Sequence, residues 1–345
     1  MYHTVVIGAG QAGLAMGYYL QRGNEKFLIL EKGLLAGNAW KNRYDSLKLF
    51  TPRMFSSLPG LPLDGDKHDF PSKDDIAIYL HDYATNFNLP IQFETEVIEV
   101  TNTNGIFTIV TNKGTVTSKN LVVATGAFQN KYIPPFAEKI SKRVFQIHSS
   151  EYKNPSQLQE GTVMIVGGGN SGAQIAVELS TVKNTYISVG HKLSFWPLVV
   201  ARKSIFWWFD KLGILKATSS SFLGKKLKQR GDPIFGFELK EAIKDWDVTM
   251  KGRVVNAEMD YLIFDDQSNL QVDNLIWSTG FKPDFSWLHI TGILNAEGEV
   301  KHQRGVTSIK GLYFLGLPWQ HRRGSSLLQG VGDDAEYIMD VINNG

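Results

Sequence analysis

Residues 4–13 read Thr-Val-Val-Ile-Gly-Ala-Gly-Gln-Ala-Gly, and this stretch decides the fold. An apolar run ends in the pattern Gly-x-Gly-x-x-Gly and passes directly into residues with helical spacing, which is typical of a turn that binds a dinucleotide diphosphate at a helix N-terminus. We expect Gly8 to allow the tight turn, Gly10 to let the diphosphate approach the backbone, and Gly13 to let helix and strand pack closely. A glycine-rich turn with no ligand is the alternative.

The next apolar run, residues 26–31, ends in Glu31, which lies 18 residues after Gly13. The end of the second strand is where the ribose of a bound dinucleotide needs a hydrogen-bond acceptor. The order of strand, turn, helix, strand and acid is more specific than the glycine motif alone, and it favours a dinucleotide site.

The same pattern recurs later in the chain. Residues 162–172 read Thr-Val-Met-Ile-Val-Gly-Gly-Gly-Asn-Ser-Gly, and this glycine motif starts 159 residues after the first. Each copy is followed by an apolar strand that ends in Thr-Gly, at residues 121–126 and 275–280. The predicted fold class is therefore α/β, with two Rossmann-like dinucleotide-binding domains of the three-layer ββα type, the second inserted into the first. We expect the first domain to comprise residues 1–155 and 281–345, and the second residues 156–280 with a helical insert at about 195–240.

Shorter elements can also be predicted. Ser72, followed by two acidic residues, indicates a helix start, and the apolar spacing continues to about Asn86. Alternating residues favour short strands, and the glycine-rich tail favours a last helix. The expected strands are 97–100, 106–111 and 115–117, and the expected last helix is 333–342.

Composition narrows the range of functions. The chain has 345 residues, of which 43% are hydrophobic and 20% charged, and its net charge is +2, so we expect no nucleic-acid partner. The first strand begins by residue 4, which leaves no room for a signal peptide, and no apolar window is long enough to span a membrane; a cytoplasmic location is expected. The eight histidines lack metal-ligand spacing, so no metal site is expected.

The two nucleotide motifs differ at the end of the second strand. The first copy has Glu31, whereas the second has Gly190 followed by His191 and Lys192. Loss of the acid removes repulsion against a 2′-phosphate, and the basic residues attract one, although they could equally be solvated loop residues. We therefore assign FAD to the first domain and NADPH to the second, which we call the NAD(P)H domain. Because His191 has no guanidinium fork to bind a 2′-phosphate, use of NADH is the alternative.

The route of the electrons beyond the flavin is constrained by composition. None of the residues is cysteine, so no dithiol and no Cys-based cluster can accept them. The reduced flavin must pass them to oxygen, to a substrate or to an external acceptor, and dioxygen is the most economical choice.

The chain resembles the flavin-containing monooxygenases, in particular small bacterial CzcO-like members and the plant YUCCA-like enzymes, over nearly its whole length. The resemblance rests on both glycine motifs, on Trp40 with residues 43–49, on residues 277–281 and on the tail segments 311–316 and 330–335. It implies that NADPH reduces FAD and that oxygen then forms a C4a-(hydro)peroxyflavin. This intermediate would oxygenate a small soft nucleophile such as a sulfide or amine, or a carbonyl compound.

The linker motif of that family, Phe-x-Gly-x-x-x-His-x-x-x-Tyr, is matched only by His148 and Tyr152. Lys142 and Val144 occupy its Phe and Gly positions. His148 is the best candidate for a linker role, a structural histidine being the alternative, and no catalytic acid or base is assigned. The incomplete motif leaves open a flavin electron transferase that serves a ferredoxin or quinone. A non-catalytic FAD-binding protein is a further alternative, and the two intact glycine motifs weigh against it.

The resulting site residues fall into two sets. The insert, with its aromatic residues between 195 and 209, could line a substrate entrance, contact a membrane surface or simply pack, and residues 321–325 could face the flavin, a phosphate or solvent. The expected partners are a small-molecule substrate and O₂, with a homodimer possible. The expected FAD contacts are Gly8, Gly10, Gln11, Ala12, Gly13, Glu31, Lys32, Trp40, Arg43, Val97, Ala124, Thr125, Gly126 and Gln329; the expected NAD(P)H contacts are Gly167, Gly169, Asn170, Ser171, Gly172, Gly190, His191, Lys192, Thr279 and Gly280.

Overall fold

The computed structural model describes residues 1–24 and 26–344. The first part of the chain forms a βαβ unit followed by a helix and a β-meander. Its elements are β1 (Tyr2–Ile7), α1 (Gln11–Arg22), β2 (Phe27–Leu30), α2 (Asn38–Lys41), α3 (Lys73–Asn86), β3 (Ile91–Gln92), β4 (Val97–Thr103), β5 (Ile106–Thr111) and β6 (Gly114–Val123).

The middle of the chain repeats this order around a second βαβ unit. Its elements are β7 (Asn130–Lys131), β8 (Phe145–His148), β9 (Thr162–Val166), α4 (Asn170–Ser180), β10 (Asn184–Ser188), β11 (Phe195–Trp196), β12 (Val199–Val200), β13 (Lys203–Ser204), α5 (Ile205–Lys211), α6 (Phe222–Arg230), β14 (Ile234–Phe235), α7 (Glu238–Lys244), β15 (Val248–Lys251), β16 (Val254–Glu258), β17 (Tyr261–Phe264), β18 (Asn269–Gln271) and β19 (Asn274–Trp277). The tail adds β20 (Phe281–Lys282), β21 (Leu312–Phe314) and α8 (Leu328–Asn344).

Each unit has a parallel sheet covered by helices on one face and by a meander on the other. The first sheet has the order β3-β2-β1-β6-β5-β4, in which β5 and β4 are antiparallel, and β21 returns from the tail to pair with β6 in parallel. The second has the order β15-β10-β9-β19-β8 and is parallel throughout. In the first unit α1, α3 and α8 bury one face, and residues of β5 pack with the tail on the other. The predicted two-domain α/β fold is confirmed.

Three predicted boundaries are wrong, for physical reasons. The predicted strand 115–117 and the start of the predicted strand 121–126 belong to one strand, β6, whose first half pairs antiparallel with β5 and whose second half pairs in parallel with β1. The β8 strand pairs with β19, so the second sheet begins before residue 155. The last helix starts at Leu328 and not at residue 333. Gly330 and Gly332 have low helix propensity and so hide the first turn in the sequence, but a Cβ at either position would clash with packed neighbours.

The helix predicted from Ser72 is confirmed, and its start has a capping box. The Ser72 hydroxyl accepts from the backbone N–H of Asp75, whose carboxylate accepts from the backbone N–H of Ser72. Within the described part of the chain, no helix combines the length and the apolar character needed to cross a bilayer.

Candidate cofactor sites

The first glycine turn has the geometry that its sequence predicts. Gly8 has φ +105°, and a Cβ there would lie 2.6 Å from the carbonyl oxygen of Ala124. A Cβ on Gly13 would lie 1.8 Å from the carbonyl oxygen of Gly8, so both positions require glycine for close packing. At Gly10, by contrast, no described atom lies within 4 Å of such a Cβ, and no described side chain caps the start of α1. The helix start is therefore an open cradle of backbone N–H groups that suits an anion.

Glu31 is held rigidly at the end of β2. Its carboxylate accepts from the backbone N–H of Ala9 and from that of Gly33, both at 2.7 Å. A groove of about 500 Å³ opens beside it and is lined by Lys32, Gly33, Leu34, Asn38, Glu94, Glu96 and Asn112. Of the expected contacts, Lys32 therefore lies at this groove, whereas the side chain of Val97 packs into the core near the meander.

Gln11 connects the first turn to two other predicted residues. Trp40 donates from Nε1 to Gln11 Oε1 (3.2 Å), and Gln11 donates from Nε2 to the carbonyl of Ser326 (3.2 Å). This fixes the segment before α8 across the start of α1. Gln329 Oε1 is buried and has no hydrogen-bond partner among the described residues, so it is available to a ligand donor.

Two further FAD predictions lie where the units meet. The guanidinium of Arg43 stacks over the rings of Phe128 (4.8 Å) and Phe281 (5.5 Å), and burial lowers its pKa. Thr125 Oγ1 and the carbonyl of Gly126 both accept from Gln129 Nε2 at 2.9 Å. The chain passes between the units after residues 126 and 280, a region called here the crossing between the units. Arg43 contacts one aromatic ring from each of these two connections, Phe128 and Phe281, and thereby stabilises the crossing.

The second glycine turn reproduces the first. Gly167 has φ +118°, and a Cβ on Gly172 would lie 2.1 Å from the carbonyl oxygen of Gly167. Gly169 again has no described atom within 4 Å of a Cβ, and no described side chain caps α4. Both turns thus leave the same open space where a diphosphate would approach.

Asn170 has a structural role that the sequence does not reveal. Its side chain donates to the carbonyl of Pro233 and accepts from the N–H of Phe235, both at 3.0 Å. The insert is therefore tethered to the start of α4. Beside it, the buried Tyr44 donates to Gln174 Oε1 (2.9 Å), and burial raises the pKa of Tyr44 to about 12; a side-chain hydrogen bond with Ser171 opposes this shift.

The end of β10 carries a basic residue that sequence reasoning missed. Arg253 donates from Nη2 to the carbonyl of Gly190 (3.4 Å), and a Cβ on Gly190 would lie 2.3 Å from Arg253 Nε. Exposed His191 and Lys192 follow directly. Arg253 is 63 positions away from Gly190, but it follows β15, which pairs in parallel with β10, so the two strand ends meet. That pairing is the one signal from which it could have been found.

The predicted linker residues are fixed within the protein. His148 is fully buried; its Nδ1 accepts from the N–H of Ser150 (3.2 Å), so Nε2 donates to the carbonyl of Gly280 (3.1 Å). Burial lowers the pKa of His148. Thr279 Oγ1 donates to the carbonyl of Tyr132.

Tyr152 is also fully buried and donates to Glu178 Oε2 at 2.7 Å. Burial, followed by this contact, raises the pKa of Tyr152. The polar atoms of His148 and Tyr152 are satisfied by the protein, so the structural alternative for His148 is the one that its contacts favour.

A cavity of about 400 Å³ lies between the insert and the segment before α8. Aromatic and aliphatic side chains form most of its wall, together with two arginines and one aspartate. Its lining residues are Ser194, Trp196, Phe209, Ile214, Leu215, Leu227, Arg230, Gly231, Asp232, Pro233, Phe235, Arg323, Gly324 and Gln329. Gln329 places this cavity next to the residues that connect to Gln11.

These features fit a dinucleotide at each turn. Two uncapped helix starts face open space that a Cβ would fill, and Gln329 leaves a buried acceptor unpaired. A metal centre has no comparable support, since across residues 1–24 and 26–344 no three His, Asp or Glu side chains come together to hold an ion.

Comparisons with known proteins agree with this architecture. The profile of the pyridine nucleotide-disulphide oxidoreductase family matches residues 5–196. The chain is 56% identical to a CzcO-like oxidoreductase of Geobacillus kaustophilus over the full length of both, and 28% identical to the probable indole-3-pyruvate monooxygenase YUCCA4 of Arabidopsis thaliana over 99% of this chain and 89% of that protein. The flavin-containing monooxygenase of Stenotrophomonas maltophilia superposes with a TM-score of 0.84 at 26% identity, covering 99% of this chain and 98% of that one.

These findings confirm the resemblance that the motifs indicate and show that the chain is an enzyme. The protein therefore belongs to the pyridine nucleotide-disulphide oxidoreductase family, and it is similar to a CzcO-like oxidoreductase and to a flavin-containing monooxygenase.

Proposed function

We propose that this protein is an FAD-dependent, NADPH-consuming monooxygenase that oxygenates a small soft nucleophile, such as a sulfide or amine, or a carbonyl compound. One observation carries the proposal: a single chain holds two glycine turns of the same backbone geometry, with opposite charges at the neighbouring strand ends, and has no cysteine. Two such turns suit two dinucleotides that exchange electrons.

FAD is assigned to the first turn. The Glu31 carboxylate stands beside the open cradle at Gly10, where it accepts from a ribose hydroxyl and would repel a 2′-phosphate. The buried Gln329 Oε1 supplies an unpaired acceptor three residues after Ser326, whose carbonyl accepts from Gln11 at the same turn. A dinucleotide without a 2′-phosphate fits these charges.

NADPH is assigned to the second turn. Where the first unit has a carboxylate, the second has the Arg253 guanidinium against Gly190, with Lys192 beside it. A guanidinium fork matches the geometry of a phosphate, so Arg253 supplies the recognition that His191 lacks. This contact favours NADPH over NADH.

The bound flavin supplies two-electron transfer from the nicotinamide and activation of dioxygen. In the overall reaction NADPH provides two electrons, one oxygen atom enters the substrate, and the other leaves as water after taking up two protons. Because the chain has no cysteine, electron transfer through a protein dithiol has no acceptor here.

The protein's own residues provide binding, orientation and exclusion of water. Asn170 holds the insert to α4, and Phe206 and Phe235 of the insert stack on Phe50 of the first unit, with ring centroids 5.9 Å and 4.7 Å away. This aromatic cluster closes the region between the units with an apolar wall, which protects an oxygenating site from water.

The test is oxygen incorporation. The purified FAD holoenzyme with NADPH, ¹⁸O₂ and an organic sulfide should form a sulfoxide that carries one labelled oxygen per NADPH consumed, as measured by mass spectrometry. NADPH consumption that yields hydrogen peroxide without an oxygenated product would overturn the proposal. Anaerobic NADPH oxidation that depends on an added ferredoxin or quinone would instead support an electron transferase.

A further inference from the structure

The insert concentrates the basic charge of the chain. Residues 199–230 contain eight of the 36 Lys and Arg residues but one of the 34 Asp and Glu residues, Asp210. This segment therefore carries a charge of +7, whereas the rest of the chain carries −5. A strongly basic segment on an otherwise acidic protein turns that side of the molecule toward an anionic surface.

The first part of this segment forms a rigid unit of a hairpin and a helix. β12 and β13 pair antiparallel, and Trp208 of α5 donates from Nε1 to the carbonyl of Val200 at 3.0 Å. Phe206 and Phe209 of α5 are buried in one cluster with Phe235. The hairpin and α5, with Leu212 after it, are called here the platform (residues 199–212). The platform is therefore fixed both internally and to the body of the protein.

The exposed side chains of the platform are apolar and basic. Leu212 is 69% exposed and Val199 is 51% exposed. The Nζ atoms of Lys203 and Lys211 lie 6.0 Å and 5.7 Å from the centre of the Trp207 ring. An indole flanked by ammonium groups, with exposed aliphatic side chains beside it, is typical of proteins that lie at the boundary between lipid headgroups and acyl chains.

α6 adds a second face of the same kind. Phe222, its first residue, is 84% exposed. Lys225 and Lys226 follow at the i+3 and i+4 positions, a spacing that puts side chains on one side of a helix. Leu227 lines the same cavity as Phe209 of α5, so the two helices are neighbours. The platform and α6 thus present exposed apolar residues and cations from one part of the molecule.

These features favour a lipid surface over nucleic acid. Aromatic rings and lysines could also serve a single strand of nucleic acid, since bases stack on such rings. The exposed aliphatic side chains of Val199 and Leu212 offer no ring for a base. A bilayer surface takes both kinds of residue, because apolar side chains enter the acyl boundary while Lys and Arg residues stay among anionic headgroups.

We propose that residues 199–230 form a peripheral docking surface for an anionic lipid bilayer. The exposed apolar side chains of the platform and Phe222 enter the interface, and the surrounding Lys and Arg residues contact the headgroup phosphates. The inference does not depend on the reaction proposed above, because it concerns where the molecule docks. Since much of the attraction is electrostatic, binding weakens as the ionic strength rises.

Vesicle flotation tests this surface. The FAD holoenzyme is mixed with vesicles of phosphatidylcholine alone, or of phosphatidylcholine with about a quarter of phosphatidylglycerol, in low salt. We expect a partition coefficient roughly ten-fold or more higher for the anionic vesicles, and a several-fold fall in high salt. No flotation with the anionic vesicles, or equal partition to both kinds, would overturn the proposal.

Charge reversal assigns the binding to the insert. The double variant Lys225→Glu with Lys226→Glu should lower partition to the anionic vesicles roughly ten-fold or more. Lys142→Glu with Arg143→Glu reverses two adjacent exposed charges outside the insert and is the matched control, which should change partition about two-fold at most. Equal losses in the two double variants would show that net charge alone attracts the vesicles, and would contradict the proposal.

Entry of the apolar side chains into the bilayer is measured separately. Because the chain has no cysteine, Leu212→Cys and Phe222→Cys can each carry a single environment-sensitive dye. On anionic vesicles the emission of both dyes should shift to the blue. Trp246→Cys is the control: Trp246 is 82% exposed but lies between Asp245 and Asp247, and its dye should not shift.

The dyes also distinguish the other partners. Flotation without a shift at residues 212 and 222, or with an equal shift at residue 246, would contradict a bilayer surface. Binding of single-stranded DNA that excludes the vesicles would assign the surface to nucleic acid and overturn the proposal.

Discussion

The two glycine turns share a backbone and differ in charge. In each, the first glycine has a positive φ and lies against the strand that ends in Thr-Gly, the last packs against the first, and the middle one faces open space. At the neighbouring strand end, the first turn has the Glu31 carboxylate bound to two backbone N–H groups, whereas the second has Gly190 with the Arg253 guanidinium against it.

The comparison distinguishes two tasks of each site, which are to bind the diphosphate and to recognise the ribose. Close packing of helix and strand presents backbone N–H groups to a diphosphate and is common to both units. The side chain at the strand end then distinguishes a ribose hydroxyl from a 2′-phosphate. One fold can therefore hold two different dinucleotides, and substitutions should affect the two tasks independently.

The largest effect is expected where glycine is required for packing. Gly13→Ala places a Cβ 1.8 Å from the Gly8 carbonyl, so the backbone must shift, and we expect a loss of about 3 kcal/mol or more in the free energy of unfolding. Gly172→Ala should act similarly in the second unit. Gly10→Ala, where the space is open, should change stability by less than ~1 kcal/mol but release FAD. Urea denaturation and FAD retention on gel filtration distinguish them; equal stability losses at positions 10 and 13 would contradict the comparison.

The next effect concerns the carboxylate of the first turn. Glu31→Gln replaces one acceptor oxygen by an amide donor, so the backbone N–H groups of Ala9 and Gly33 cannot both be satisfied and the ribose loses an anionic acceptor. A charge-assisted hydrogen bond contributes about 1.5–3 kcal/mol, so the Kd for FAD should rise roughly 10- to 100-fold. Flavin fluorescence titration measures it. Glu94→Gln, in the same groove, is the matched control and should shift the Kd no more than about two-fold.

The guanidinium of the second turn should give a similar or smaller effect that is specific to NADPH. Arg253→Ala removes a charge partner at an exposed site, and about 1.4 kcal/mol corresponds to a roughly ten-fold rise in KM for NADPH. KM for NADH should stay constant, since NADH has no 2′-phosphate. Gly190→Glu should shift the preference further towards NADH. If Arg253→Ala raises the KM values for NADPH and NADH equally, the guanidinium does not bind the 2′-phosphate.

The smallest effect concerns the crossing between the two units. Burial lowers the pKa of His148 from its ordinary value of 6.5, so the folded protein keeps the ring neutral while the unfolded chain takes up a proton first as the pH falls. The free energy of unfolding is therefore unaffected by His148 titration above pH 6.5 and falls below that pH, by at most ~1.4 kcal/mol per pH unit.

The His148→Gln variant should lose that part of the pH dependence of unfolding, measured by urea denaturation between pH 5 and pH 7.5. A residual slope should remain, because burial also lowers the pKa of His302 and His321. An unchanged slope would show that His148 binds protons equally in the folded and unfolded states, so that burial does not lower its pKa.

The sequence predicts what depends on local periodicity. The strands, the glycine turns and Glu31 are contiguous patterns, and their geometry is found as expected in the structure. Arg253 and the Asn170 tether could not be predicted, because each contact joins residues more than 60 positions apart. The predicted boundary at residue 155 also put residues 145–148 in the first unit. These residues form a short edge strand, β8, and only its pairing with β19 shows that it belongs to the second sheet. The assignment of each turn to its cofactor remains a prediction.

Rapid-mixing absorbance tests the central claim, that two electrons pass from the second site through the first to dioxygen. The FAD holoenzyme is reduced with NADPH without oxygen and is then mixed with oxygenated buffer. We expect the flavin absorbance to bleach quickly without oxygen, and more slowly in Arg253→Ala. On mixing with oxygen we expect a transient spectrum that differs from those of both oxidised and reduced flavin. Direct return of oxidised flavin in one phase, accelerated by an added quinone or ferredoxin, would contradict it.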